Sequence, residues 1–134
     1  MNKIISAVVL AVLAGNACAD NWTYVDRDED TALWVQKDTI WRSGSNVKMW
    51  SMYDHRIPSP SLNSPPLPTT FRSSVGLFEY DCNDRRSRML QATAYEDAKG
   101  KGRIAFTMDQ PETWKYVKPG SSDETRWKFA CKKS

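Results

Sequence analysis

Along most of this chain, apolar and polar residues alternate with a period of two, in short runs separated by turn-forming residues. This is the pattern of strands with one buried face. Trp22 to Val25 and Thr31 to Lys37 read as two such runs, divided by the acidic turn Asp26-Arg27-Asp28-Glu29-Asp30. Ser43-Gly44-Ser45-Asn46 marks the next turn, and Val47 to Tyr53 follows as a strand rich in β-branched and aromatic residues. Phe71 to Cys82 and Arg85 to Tyr95 flank Asn83-Asp84, a two-residue hairpin signal because both side chains tolerate left-handed backbone. Ala98 to Gly102 is the next turn, and Arg103 to Met108 returns from it with Ile104, Phe106 and Met108 on one face.

Two segments break the alternation. From Ile57 to Pro68, five of twelve residues are proline, which has no N–H for a ladder, so this stretch reads as an extended surface loop rather than sheet. Near the C-terminus Pro119-Gly120 stops the extended pattern, and Ser121 with Glu124 three residues on forms a capping box. A helix is therefore predicted from Ser122 to Cys131, with Trp127, Ala130 and Cys131 on one stripe. The fold class that follows is α+β: an antiparallel sheet of about six strands with one face covered by a C-terminal helix.

The first residues belong to a different kind of segment. Met1-Asn2-Lys3 gives a positive start, Ile4 to Ala14 is apolar apart from Ser6, and Ala17-Cys18-Ala19 has the small-x-small form of a signal-peptidase site. Residues 1–19 thus read as a secretory signal, leaving 20–134 as one domain. The apolar run is 11 residues, about half of the ~20 needed to span a bilayer, so no transmembrane segment is expected. Cys18 as a lipidated first residue fits less well, because Gly15 stands where lipoprotein signals usually carry Leu. The expected location is the periplasm or the outer-membrane surface.

Export changes how the cysteines read. With Cys18 in the signal, Cys82 and Cys131 remain, and in an oxidising compartment two cysteines are most simply one disulfide. Cys82 would share a strand face with Phe78 and Tyr80, and Cys131 a helix face with Trp127. Their bond would tether the helix to the sheet. The six tryptophans are expected mainly in the core of so small a domain.

Chemistry for catalysis is sparse. His55 is the single histidine, and its neighbour Asp54 points to the opposite strand face, so no triad is indicated. One histidine and two bonded cysteines do not make a usual zinc set, and no phosphate loop or nucleophile elbow appears. No cofactor, metal or enzymatic activity is expected. A net charge of +3 on an exported chain also argues against nucleic acid as partner. The basic residues form two groups at opposite ends of one strand: Arg85, Arg86 and Arg88 beside one turn, Lys99, Lys101 and Arg103 around the next. They are the candidate ligand-binding residues, suited to polyanionic glycans or acidic protein segments. Solubilising the sheet ends is the competing role.

Several motifs together resemble the surface-adhesin protein E family of bacterial envelope proteins. They are Trp22, Thr39-Ile40 with Arg42 and Gly44 before Val47-Lys48-Met49-Trp50, then Glu79-Tyr80-Asp81-Cys82 with Arg85-Arg86-Ser87-Arg88. Tyr95, Gly100-Lys101-Gly102, Trp114, Pro119-Gly120-Ser121 and Cys131 complete the set. The resemblance implies an antiparallel sheet with a disulfide-fixed C-terminal helix, a homodimer, and non-enzymatic binding of host extracellular-matrix or other proteins. A soluble periplasmic factor, such as an inhibitor of an envelope enzyme, is the alternative.

Overall fold

The computed structural model describes residues 21–60 and 70–133. The signal segment 1–19, Cys18 and the part of the proline-rich stretch from 61 to 68 lie outside the described residues. Eight strands form one antiparallel sheet: β1 (Thr23–Arg27), β2 (Thr31–Val35), β3 (Trp41–Ser43), β4 (Asn46–Pro60), β5 (Thr70–Asp81), β6 (Arg86–Tyr95), β7 (Ile104–Met108) and β8 (Lys115–Tyr116). The spatial order is β1-β2-β4-β5-β6-β7. β2 and β3 lie end to end along β4, pairing Ser51–His55 and Asn46–Lys48 respectively. β7 and β8 do the same along β6. The alternation thus finds the six strands of the main path, while the two short ones carry too few residues to show a period.

Helix α1 (Ser122–Cys131) packs on one face. The Ser121 hydroxyl accepts from the Glu124 amide at 3.2 Å, and the Glu124 carboxylate accepts from the Gly120 amide at 3.4 Å, so the capping box closes one residue further out than the usual form. Trp127, Ala130 and Cys131 are buried as the stripe predicts, against Val35, Val47, Met49, Phe78 and Tyr80. The Cys82–Cys131 disulfide is present, with Cα atoms 5.5 Å apart across a sequence separation of 49. Beside it the Trp127 indole N–H donates to the Asp81 carbonyl at 2.9 Å, so the helix end is held covalently and by a buried hydrogen bond.

Three expectations need correction. The sheet runs on through the first prolines: Ser59 pairs with Phe71 and Pro60 with Thr70 after an irregularity between Asp54 and Ser59. That irregularity takes the unpaired residues, which is how a strand tolerates proline. The β5–β6 turn is four residues, Cys82 to Arg85, not two. The Asp81 carboxylate accepts from the amides of Asn83 and Asp84, and the left-handed residue is Arg85 at φ 50°. The tryptophans are not mainly core either. Trp127 is 5% exposed, but Trp41 is 53% exposed and Trp22, Trp34, Trp50 and Trp114 are only partly buried.

Candidate functional site

Strand alternation sorts Trp34, Trp41 and Trp50 onto the sheet face opposite α1. On β4 the helix side takes Val47, Met49, Ser51 and Tyr53, leaving Lys48, Trp50 and Met52 on the other side. Register carries that open face across the sheet: Trp34 is opposite Met52, Trp41 opposite Lys48, and Leu77 opposite Trp50. Beyond them lie Thr93 and Tyr95 on β6. The turn Ala98–Gly100 covers part of it, with Gly100 against Val75, Met52 and Tyr95 at φ +70°. Two hollows remain. One of about 320 Å³ is lined by Trp22, Trp50, Val75, Tyr95 and Lys99. The other, about 380 Å³, is lined by Trp41, Lys48, Leu77 and Glu79. Trp50, which lines the first, is the cross-strand partner of Leu77, which lines the second.

The six predicted basic residues fall into two environments. Arg85 is bonded to Glu124 at 2.7 Å and lies over the Trp127 ring at 4.9 Å. Arg86 pairs with Asp81 at 2.8 Å, Arg88 with Glu79 at 2.7 Å, and both guanidinium groups lie over Trp114. Their charge is spent on the fold. Lys99 lies 5.9 Å from the centre of the Trp34 ring, and Lys101 and Arg103 are exposed. None of these last three forms an ion pair among the described residues. The two groups stand at opposite ends of β6 and make no single patch.

The pairing of Asp81 has a pH consequence. The bond from Arg86, then those from the Asp84 and Asn83 amides, hold its carboxyl below the ordinary carboxylate value. A group depressed in the folded state stabilises it above its unfolded pKa of about 4 and loses that contribution as pH falls through the folded value. Thermal melts of wild type and Asp81→Asn are therefore expected to converge below about pH 4 and to separate above it.

A third hollow, about 440 Å³, lies between the β1–β2 turn, His55 and the start of α1. His55 Nδ1 and the Thr31 hydroxyl are 3.0 Å apart, and the ring meets Phe71 edge-on at 5.4 Å. Burial pulls its pKa below the ordinary imidazole value, with Asp54 and Asp28 opposing. Asp28 is meanwhile committed to the amides of Asp30 and Thr31. Thr31 and Phe71 thus hold the His55 ring in place. Among the described residues no cluster of His, Cys, Asp or Glu suits a metal ion, and no helix is long and apolar enough to cross a membrane.

A sheet with one helix is expected to leave its other face or an edge under-covered; what sequence reasoning missed is that tryptophans lie there, because β alternation does not say which face a helix will cover. The signal that was available is the count: six tryptophans and one short helix.

Comparison with known proteins agrees with this architecture. The family model for surface-adhesin protein E matches residues 22–132. Two crystal structures of Haemophilus influenzae protein E superpose with TM-scores of 0.59 each, at 13% and 12% identity. They cover 81% and 83% of this chain and 91% and 83% of those chains. Protein E from a non-typeable strain gives 0.57 at 13% identity, over 81% of this chain and 75% of that one. At such identity the likeness is one of fold. No curated protein sequence matches the chain.

Proposed function

We propose that this chain, which belongs to the surface-adhesin protein E family, is an exported, non-enzymatic envelope protein that binds other proteins, host extracellular-matrix proteins among them. Family membership makes it a surface-adhesin type of protein associated with the envelope. The observation that supports the binding role is the open sheet face, where aromatic rings and two hollows have no covering layer among the described residues. Apolar area of this kind, rimmed by charge, is what protein-binding surfaces present. A homodimer is a further part of this reading, and light scattering of purified protein tests it directly.

Export through cleavage after Ala19, without lipid on Cys18, completes the reading. Labelled palmitate should not enter the protein, and the mature N-terminus should be Asp20. Protease shaving of intact cells then separates surface display from a periplasmic location.

Binding should be captured on immobilised matrix proteins and should weaken with salt, because exposed charges are screened over about 8 Å at physiological ionic strength. Lys101→Ala with Arg103→Ala is expected to lower affinity and flatten the salt dependence while leaving the melting temperature unchanged, since neither is ion-paired. Arg85→Ala with Arg86→Ala should instead lower the melting temperature, because it breaks bonds to Glu124 and Asp81. Binding indifferent to salt and to the first pair would remove the basic turn from the site.

A second reading, a periplasmic inhibitor of an envelope enzyme, is favoured by one feature. The exposed turn Asp28-Glu29-Asp30 borders the hollow beside α1, a shape that could enter a cationic cleft. Inhibition abolished by Glu29→Lys, with no capture on matrix proteins, would select it.

A further inference from the structure

We propose that the open sheet face binds a carboxylated, N-acetylated glycan chain, laid across the two neighbouring hollows and the strand pairs between them. The floor is aromatic: Trp50 and Tyr95 at one end, Trp41 at the other. Pyranose rings present flat apolar C–H faces that stack on such rings, while their hydroxyl edges need polar partners at the rim. Thr93 supplies a hydroxyl there. The pairs Met52–Val75, Trp50–Leu77 and Lys48–Glu79 follow one another along β4 and β5. At ~3.3 Å per strand residue the floor from Val75 to Glu79 is roughly 13 Å long, a length suited to a chain of sugars rather than to one.

Charge fixes the kind of glycan. Glu79, the carboxylate lining the groove, is neutralised by Arg88 at 2.7 Å. Lys48 and Lys99 line one hollow each, and neither has a salt-bridge partner among the described residues. The groove therefore offers two separated cations over an apolar floor. That matches isolated carboxylates spaced along a chain, and it matches poorly a densely sulfated polymer, which needs clustered cations. The apolar wall of Leu77 and Trp41 would receive an acetamido methyl group. Alternating uronic acid and N-acetylhexosamine, the chemistry of hyaluronan, meets all three conditions. The choice of a host source rests on the adhesin reading above.

The test is titration of purified protein with hyaluronan oligosaccharides, followed by tryptophan fluorescence and calorimetry. Heparin and muramic-acid-containing glycan strands are run in parallel. The expected result is saturable hyaluronan binding that falls about tenfold or more in Trp41→Ala and in Lys48→Ala, with unchanged melting temperatures. Lys99→Ala should weaken it as well, and Lys101→Ala with Arg103→Ala should not. Absent binding, binding indifferent to the groove variants, or binding of heparin alone would overturn the proposal. Preference for muramic-acid strands would overturn the host source. A negative titration with matrix-protein capture intact overturns the groove and spares the adhesin reading; the opposite pair of results does the reverse.

Discussion

Cys131→Ser should cost about 2–5 kcal/mol of folding stability, read as a lowered urea midpoint under oxidising conditions. The disulfide joins residues 49 apart in sequence, so its loss restores a long loop to the unfolded ensemble, worth roughly 4 kcal/mol in the chain-entropy model. Locally, Cys131 is in the last turn of α1, and the buried Trp127 is one turn earlier. Without the bond, α1 is held to the sheet end by the Trp127 indole on the Asp81 carbonyl and by apolar packing. Hydrogen exchange in the helix should therefore accelerate before that of β4 and β5. Reduction of the wild type should reproduce the effect, and Cys82→Ser should match Cys131→Ser. An unchanged urea midpoint in either variant would show that packing alone fixes the helix.

Where sequence and structure part company, the reason is the range over which each signal acts. The capping residues Ser121 and Glu124, and the stripe of Trp127, Ala130 and Cys131, act within a turn or two of helix, and they are found where the sequence places them. Cys82 and Cys131 are far apart, but elimination leaves them as each other's partner. The failures are tertiary. Proline at Pro60 forbids an amide donor, yet Pro60 still pairs with Thr70 because the irregularity after Asp54 resets the register. Trp41 and Trp50 have the composition of core, and only the position of one short helix leaves them on the open face. The ion pairs of the arginines beside the β5–β6 turn are not legible in sequence either, because Glu79, Asp81 and Glu124 are reached across the hairpin or from the helix.

Arg126 is the clearest case, and its surroundings set the second large effect. A charged residue beside the helical stripe is expected at the surface, yet Arg126 is 4% exposed. Its guanidinium lies 3.9 Å from the centre of the Phe78 ring and 5.2 Å from that of Tyr53, and donates to Asp123 at 2.9 Å. The other Asp123 oxygen accepts from the Ser87 hydroxyl at 2.7 Å, so one carboxylate ties α1 to β6. Burial works against the charge and the Asp123 carboxylate favours it, with the net direction for Arg126 upward.

Removing Asp123 leaves that cation buried without its carboxylate, a situation that typically costs about 3–5 kcal/mol. Asp123→Ala is thus expected to be among the most damaging single changes in the helix. Arg126→Met removes the charge and keeps most of the volume against Phe78 and Tyr53, so its cost should stay within about 1.5 kcal/mol, or stability should rise. The decisive measurement is the double-mutant cycle. Asp123→Ala combined with Arg126→Met should be more stable than Asp123→Ala alone, because the stranded charge is gone. If the two effects simply add, the pair is uncoupled, and the helix is docked by the disulfide and the Trp127 stripe without help from its buried ion pair.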